Sequence, residues 1–187
     1  MRVVSGRFKG KKLTPPPTRA RPTADRVKET LFNILAVKLP AGAETVLDLF
    51  AGSGSLGIEA LSRGAGHCVF IDVDRDAVNA VRQNLKNVGA QAEAYELYGV
   101  DYAFGLKKLR GRQFGLILLD PPYAFSLCGR AVARIGEYGL LKPGGVIAVE
   151  HDAGEAFDPG VFMADTRDLK GKKLTFLTYG GEAAHNE

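Results

Sequence analysis

Cysteine is scarce in this chain: Cys68 and Cys128 are the two among 187 residues. They stand far apart and form no metal-type pair; no disulfide framework is expected, and two free thiols suit a reducing compartment. His67 and His151 flank apolar runs without partners at metal-ligand spacing, so no metal is expected. No apolar run approaches the roughly 20 residues that cross a bilayer. The N-terminus, MRVVSGRFKGKK, lacks the apolar stretch of a secretory signal. Internal repeats and low-complexity tracts are absent as well. What remains is an ordinary globular composition, 45% hydrophobic with a mean hydropathy of −0.05. The length suits one domain with a sizeable core. A cytoplasmic location is expected, and a monomer is the default for a chain with no evident exposed apolar stripe.

Charge is unevenly spread. The net charge is +4, yet residues 1–30 hold nine of the 25 bases (Arg2, Arg7, Lys9, Lys11, Lys12, Arg19, Arg21, Arg26, Lys28) and two of the 21 acids. The rest of the chain has 16 bases against 19 acids. A basic stretch at one end is the footprint of a nucleic-acid binder or of a solubilising arm, and charge alone does not choose between them.

The alternation in RVVSGRFKGKKL predicts a short hairpin around Ser5-Gly6. TPPPTRARP interrupts regular structure, and a helix from Thr23 follows, with Val27, Leu31, Ile34 and Leu35 on its buried face and Pro40 and Gly42 closing it. Beyond it the rhythm changes. TVLDLF, HCVFID, AEAYELY, FGLILLD and GGVIAVEH are apolar strands, and the first four each precede an amphipathic helix. That alternation predicts a parallel sheet covered on both faces. The tail reads as an antiparallel hairpin around Lys170-Gly171. The expected fold is a doubly wound, Rossmann-like α/β sheet with a C-terminal antiparallel hairpin. Residues 1–40 form a basic hairpin-plus-helix extension, and residues 41–187 form the main domain.

LDLFAGSGSLGIEAL joins the first strand to its helix, and Gly52, Gly54 and Gly57 match G-x-G-x-x-G in the required strand–turn–helix setting. Such a loop admits a ligand close to the backbone. A dinucleotide is the first candidate, but the chain is too short for a dehydrogenase's second domain. Asp48, inside the strand end, suits a ligand ammonium or the ordering of the loop. Asp72 ends strand two and suits a ribose hydroxyl pair; Asp74 beside it reads as a helix N-cap. Asp101 follows strand three and reads equally as an acceptor for an adenine amine or as an N-cap. An amine, a ribose and an adenine without a pyrophosphate describe S-adenosylmethionine. Phe50 and Val73 complete the expected cofactor-binding set.

LLDPPY, residues 118–123, ends the fourth strand with a carboxylate, two prolines and a tyrosine. Prolines fix φ and donate no hydrogen bond, so the carbonyls there are aimed acceptors. Together with the glycine loop, this motif resembles the class I S-adenosylmethionine-dependent methyltransferases that act on exocyclic amines of nucleobases. RVVSGRFKGKKL and RPTADRVKETLFNIL narrow the resemblance to the bacterial RsmD family, over Arg2 to Tyr179. The family implies methyl transfer to N2 of a guanine in 16S ribosomal RNA, within a partly assembled small subunit.

On this reading Asp120 and the Pro121 carbonyl accept the two amine N–H bonds, Pro122 stiffens the turn, and Tyr123 stacks on a base swung out of the helix. The resemblance also implies that Pro22, Thr23 and Arg26 cover the cofactor's methionine end. Arg2, Arg7, Lys9, Lys11 and Lys12 would hold RNA phosphates. Alternatives are a DNA adenine or cytosine as substrate, a protein glutamine, or an RNA-binding protein that keeps a cofactor fold without catalysis. Cys68 reads as core, and Cys128 has no base beside it.

Overall fold

Runs of β-branched and leucine residues without a helical period settle into strands. In the computed structural model, which describes residues 1–17, 25–39, 41–122, 127–169 and 171–180, seven such strands form one sheet. They are β1 (Thr45–Leu49), β2 (His67–Asp72), β3 (Tyr95–Gly99), β4 (Phe114–Leu119), β5 (Leu141–Asp152), β6 (Phe162–Leu169) and β7 (Lys172–Tyr179). The order is β3-β2-β1-β4-β5-β7-β6. β1 to β5 run parallel, and β7 inserts antiparallel between β5 and β6. Helices α1 (Asp25–Lys38), α2 (Ser55–Ser62), α3 (Arg75–Val88), α4 (Tyr102–Lys108) and α5 (Leu127–Glu137) complete the fold. The doubly wound sheet and the C-terminal hairpin match the sequence reading. Strand order reverses between β1 and β4, and open α/β sheets bind their ligands outside the carboxyl ends of the strands at such a switch point.

Alternation along the strands divides the core. Val46, Phe70, Leu118 and Ala148 pack with Leu31, Ile58, Leu61, Val81 and Leu85 of α1, α2 and α3. Leu47, Ile71, Leu119 and Val149 pack on the other face with Leu106, Val132 and Ile135 of α4 and α5. With both faces covered, the strands need no polar side, which explains their nearly continuous apolar sequence.

The N-terminal segment departs from expectation in two ways. Its ends pair as a hairpin, with Arg2 opposite Lys12, but the reversal is wider than a turn at Ser5-Gly6. The reason is that the opposite strand pairs with Met1 and Val3, while α2 holds the backbone between them and the turn. Val4 and Ser5 donate to the Glu59 carboxylate at 2.8 and 3.0 Å. Arg7 donates to the Ser62 carbonyl at 2.8 Å and Phe8 to the Ser62 hydroxyl at 2.9 Å. Gly6, at φ +81°, lies so close that a Cβ would sit 1.9 Å from the Ser62 carbonyl oxygen; no side chain fits there.

The second departure is in α1. Its buried residues are Lys28, Leu31, Phe32 and Leu35, while Val27 and Ile34 are half-buried. Lys28, counted above with the basic stretch, is 0% exposed; its Nζ donates to the Arg2 carbonyl at 2.6 Å and lies 3.5 Å from Glu59. Burial lowers its pKa, and the Glu59 carboxylate opposes that shift. Val3, Phe8 and Leu13 join the same cluster as the sheet residues Val46 and Leu116.

Candidate active site

Parity along the strands selects the site. Asp48, Asp72, Asp120 and Glu150 fall on the sheet face of Phe70, Leu118 and Ala148, at the carboxyl ends of β1, β2, β4 and β5. Asp48 and Asp72 are buried, and both hold the glycine loop. Asp48 Oδ2 accepts from Gly57 N–H at 2.8 Å. Asp72 accepts from Gly52 N–H at 2.8 Å and from Asp74 N–H at 3.0 Å. Gly52 and Gly54 take φ +59° and +75°, where only glycine is unstrained. Gly57 lies so near β2 that a Cβ would come 2.3 Å from the Phe70 ring.

Phe50 enters the loop at φ +67°, the one positive φ outside glycine among the described residues. That conformation costs about 1–2 kcal/mol for an L-residue. Its ring packs at 5.3 Å from that of Tyr102. Strain at the mouth of a ligand loop fits a backbone shaped for what it binds.

These residues fit S-adenosylmethionine. The loop offers bare backbone at Gly52 and Gly54, where no side chain stands between it and a ligand. Val73, beside Asp72, is 71% exposed, and Phe104 in the first turn of α4 is 61% exposed. Large apolar side chains left in water at a strand end suit a flat heterocycle. Asp101 N-caps α4, accepting from Ala103 N–H at 2.8 Å, while Asp74 N-caps α3.

At the end of β4, Asp120 is half-buried, Pro121 buried and Pro122 exposed. β4 ends at Leu119, and neither proline that follows has an N–H with which to extend the ladder. Tyr123, Pro22 and Thr23 lie outside the described residues. Arg26 is exposed in the first turn of α1. Arg2, Arg7, Lys9, Lys11 and Lys12 are exposed on the docked hairpin, with Arg2 3.9 Å from Asp25 and the Arg7 guanidinium 4.7 Å from the centre of the Phe8 ring. The fold thus gathers Asp48, Phe50, the three glycines, Asp72, Val73, Asp101 and Asp120-Pro121-Pro122 at one edge of the sheet.

Sequence reasoning passed over the residues that join hairpin to loop. Asn84 of α3 is fully buried; its amide donates to the Thr14 and Ser53 carbonyls at 2.9 Å each, and its oxygen accepts from Thr14 N–H at 2.9 Å. Asn84, Glu59 and Ser62 are polar side chains inside buried helix faces, and that conflict was the available signal. Glu150 was passed over too, although it lies near the carboxyl end of β5 and shares the sheet face of Asp72.

Burial raises both thiols: Cys68 well above the usual range, Cys128 to about 12 with Glu155 adding to the shift. A thiol so protonated is a poor nucleophile. Among the described residues no group of three His, Cys, Asp or Glu side chains could hold a metal ion. No helix among them is long and apolar enough to cross a membrane.

The family model described as Conserved hypothetical protein 95 matches residues 1–177. Ribosomal RNA small subunit methyltransferase D of Haemophilus influenzae is 38% identical over 152 residues, 80% of this chain and 78% of that one. The solved structure of hypothetical protein TTHA0928 of Thermus thermophilus superposes with a TM-score of 0.83 at 27% identity, covering 95% of this chain and 99% of that chain. An RNA methyltransferase from Salinibacter ruber, solved with S-adenosyl-L-homocysteine, has a TM-score of 0.64 at 24% identity over 89% of this chain and 98% of its own.

Proposed function

The chain belongs to the family described as Conserved hypothetical protein 95, and from that premise we propose that it transfers a methyl group from S-adenosylmethionine to N2 of a guanine in small-subunit ribosomal RNA. The observation that carries the reading is the glycine loop, bound to two buried carboxylates, with Asp120-Pro121-Pro122 ending the adjacent strand β4. The relative from Haemophilus influenzae, named a ribosomal RNA small subunit methyltransferase, supports ribosomal RNA as the substrate. The reading makes the protein a cytoplasmic enzyme that acts as a monomer and without a metal ion.

Bound in the loop, S-adenosylmethionine supplies an electrophilic methyl group on a sulfonium. The chain's own residues do the rest. A guanine N2 lone pair is delocalised into the ring, so the amine is a weak nucleophile. Asp120 and the Pro121 carbonyl accept its two N–H bonds and favour a pyramidal nitrogen, whose lone pair then faces the loop. Well-oriented intramolecular reactions gain roughly 7–11 kcal/mol from such placement. The Asp120 carboxylate also stabilises the positive charge that grows on nitrogen.

Tyr123 stacks on the flipped base, worth about 1–3 kcal/mol. Pro22, Thr23 and Arg26 cover the methionine end of the cofactor, while Asp72 and Asp101 hold its ribose and adenine. Arg7, Lys9, Lys11 and Lys12 take phosphates, with Arg2 at the base of the hairpin.

The test supplies labelled S-adenosylmethionine with small subunits lacking the modification, with large subunits, and with duplex DNA. Label confined to the small-subunit RNA is expected. Label in DNA or in large-subunit RNA alone would overturn the substrate, and label in none of the three would overturn the activity on nucleic acid.

A further inference from the structure

One buried carboxylate has no part in the mechanism above. In the β4–β5 ladder Leu119 pairs with Val149, and one residue further along each strand come Asp120 and Glu150. Both share the parity of Leu118 and Ala148, so they emerge on the same face of the sheet. Glu150 is 3% exposed. Its Oε1 accepts from Lys172 Nζ at 3.1 Å, whereas its buried Oε2 has no hydrogen-bond partner among the described residues. Buried carboxylate oxygens are normally satisfied, and an orphan calls for an explanation. The charges acting on Glu150 are Asp120 after β4, Lys172 on β7 and Asp152 on β5. Burial first, and the Asp120 charge second, push its pKa to about 7, with Lys172 opposing them and Asp152 adding to them.

Methylating an amine releases a proton, and the site must put it somewhere. We propose that Glu150 is a positioning residue for methyl transfer that acts through Asp120, the two carboxylates forming a pair that takes up the released proton. The proposal rests on the amine-methylation reading given above. As the nitrogen bonds to the methyl carbon, the carbon–sulfur bond breaks and leaves its electron pair on sulfur. The nitrogen's surplus proton passes to Asp120, and the pair goes from two negative charges to one. The ionised Glu150 beside it raises the proton affinity of Asp120, because like charges disfavour double ionisation. Lys172 keeps the doubly ionised state accessible near neutral pH. Only an ionised Glu150 can do this, so transfer strengthens as pH rises through about 7.

Two measurements test the pair. The first is a carbon-13 NMR titration of the Glu150 carboxyl in the free protein, which needs no substrate. A midpoint near neutrality that falls in Asp120→Asn is expected; an ordinary midpoint, or one that Asp120→Asn leaves unchanged, overturns the pair. The second is the single-turnover transfer rate to small-subunit RNA across pH 5.5–8.5, a range of about one and a half units either side of the midpoint.

Glu150→Gln keeps the shape and is expected to slow transfer about 10-fold to 100-fold at pH 8. It should also flatten the limb near pH 7 while leaving S-adenosylmethionine affinity and RNA affinity unchanged. Glu150→Asp should restore the limb. A Glu150→Gln enzyme that keeps the wild-type limb overturns the proposal, whatever its rate. Absence of transfer by the wild type would sink the functional reading, and the titration would still decide whether the pair exists.

Discussion

A carboxylate at a strand end accepts hydrogen bonds in more than one direction, and the four at this sheet edge differ in where they are directed. Asp48 and Asp72 hold backbone N–H groups of the glycine loop; Asp120 is half-buried after β4, where the proposed mechanism places the amine. Asp120→Ala is therefore expected to slow methyl transfer by about 100-fold to 1,000-fold, the scale of losing one preorganised electrostatic contact. S-adenosylmethionine binding measured by calorimetry should stay intact.

Glu150 gives a pH signature in stability as well. Its folded pKa lies above the ordinary carboxylate value, so the folded state holds a proton that the unfolded state releases. The resulting stabilisation is complete in acid below the ordinary range and is lost as pH rises through about 7. Urea denaturation between pH 5 and 8 should show wild type losing more stability than Glu150→Gln; equal losses would contradict the assignment. The carboxylates at 48, 72 and 120 were legible because strand ends, glycines and prolines mark them in sequence. For Asp48 the ordering of the loop was among the readings; the bond from Gly52 N–H to Asp72 was not, since only the folded loop brings the two together.

Among the elements, the N-terminal hairpin shows how far local pattern reaches. Its alternation was readable, and so was its charge. Its attachment was not: Glu59 and Ser62 on α2 and Asn84 on α3 hold it through contacts 54 to 70 residues apart in sequence. Lys28 shows the same limit, for a charge count cannot see that one lysine is buried against Glu59. Without Lys28, Glu59 keeps the Val4 and Ser5 N–H groups and the Arg63 guanidinium at 2.9 Å, but the Arg2 carbonyl loses its donor. Lys28→Ala is thus expected to destabilise the fold by about 1–3 kcal/mol in denaturant titration. A loss within about 0.5 kcal/mol, typical of surface substitutions, would show that the Arg2 carbonyl is satisfied without it. Gly6→Ala places a methyl group where the Ser62 carbonyl stands; it should undock the hairpin and weaken RNA binding, with S-adenosylmethionine affinity reduced less.

At the scale of the whole molecule, the parallel strands and both covered faces were readable because doubly buried strands are apolar throughout. The insertion of β7 between β5 and β6 was not, because a hairpin's sequence does not say which of its strands joins the sheet. The basic hairpin docks beside the glycine loop through Asn84, and the proposed reading sets its phosphate contacts near the methyl donor. Replacing Lys9, Lys11 and Lys12 together by alanine should lower the salt dependence of RNA binding by about two in log–log slope, at roughly 0.7 per contact to single strands. An unchanged slope would remove the hairpin from the RNA surface. The measurement that tests the central claim most directly identifies the methylated nucleoside. Small subunits lacking the modification are treated with labelled S-adenosylmethionine and wild-type or Asp120→Ala protein, and the RNA is digested to nucleosides for mass spectrometry. Label in N2-methylguanosine with wild type, lost with Asp120→Ala, is the expected result; label in a methyladenosine, or an undiminished yield with Asp120→Ala, would contradict the account.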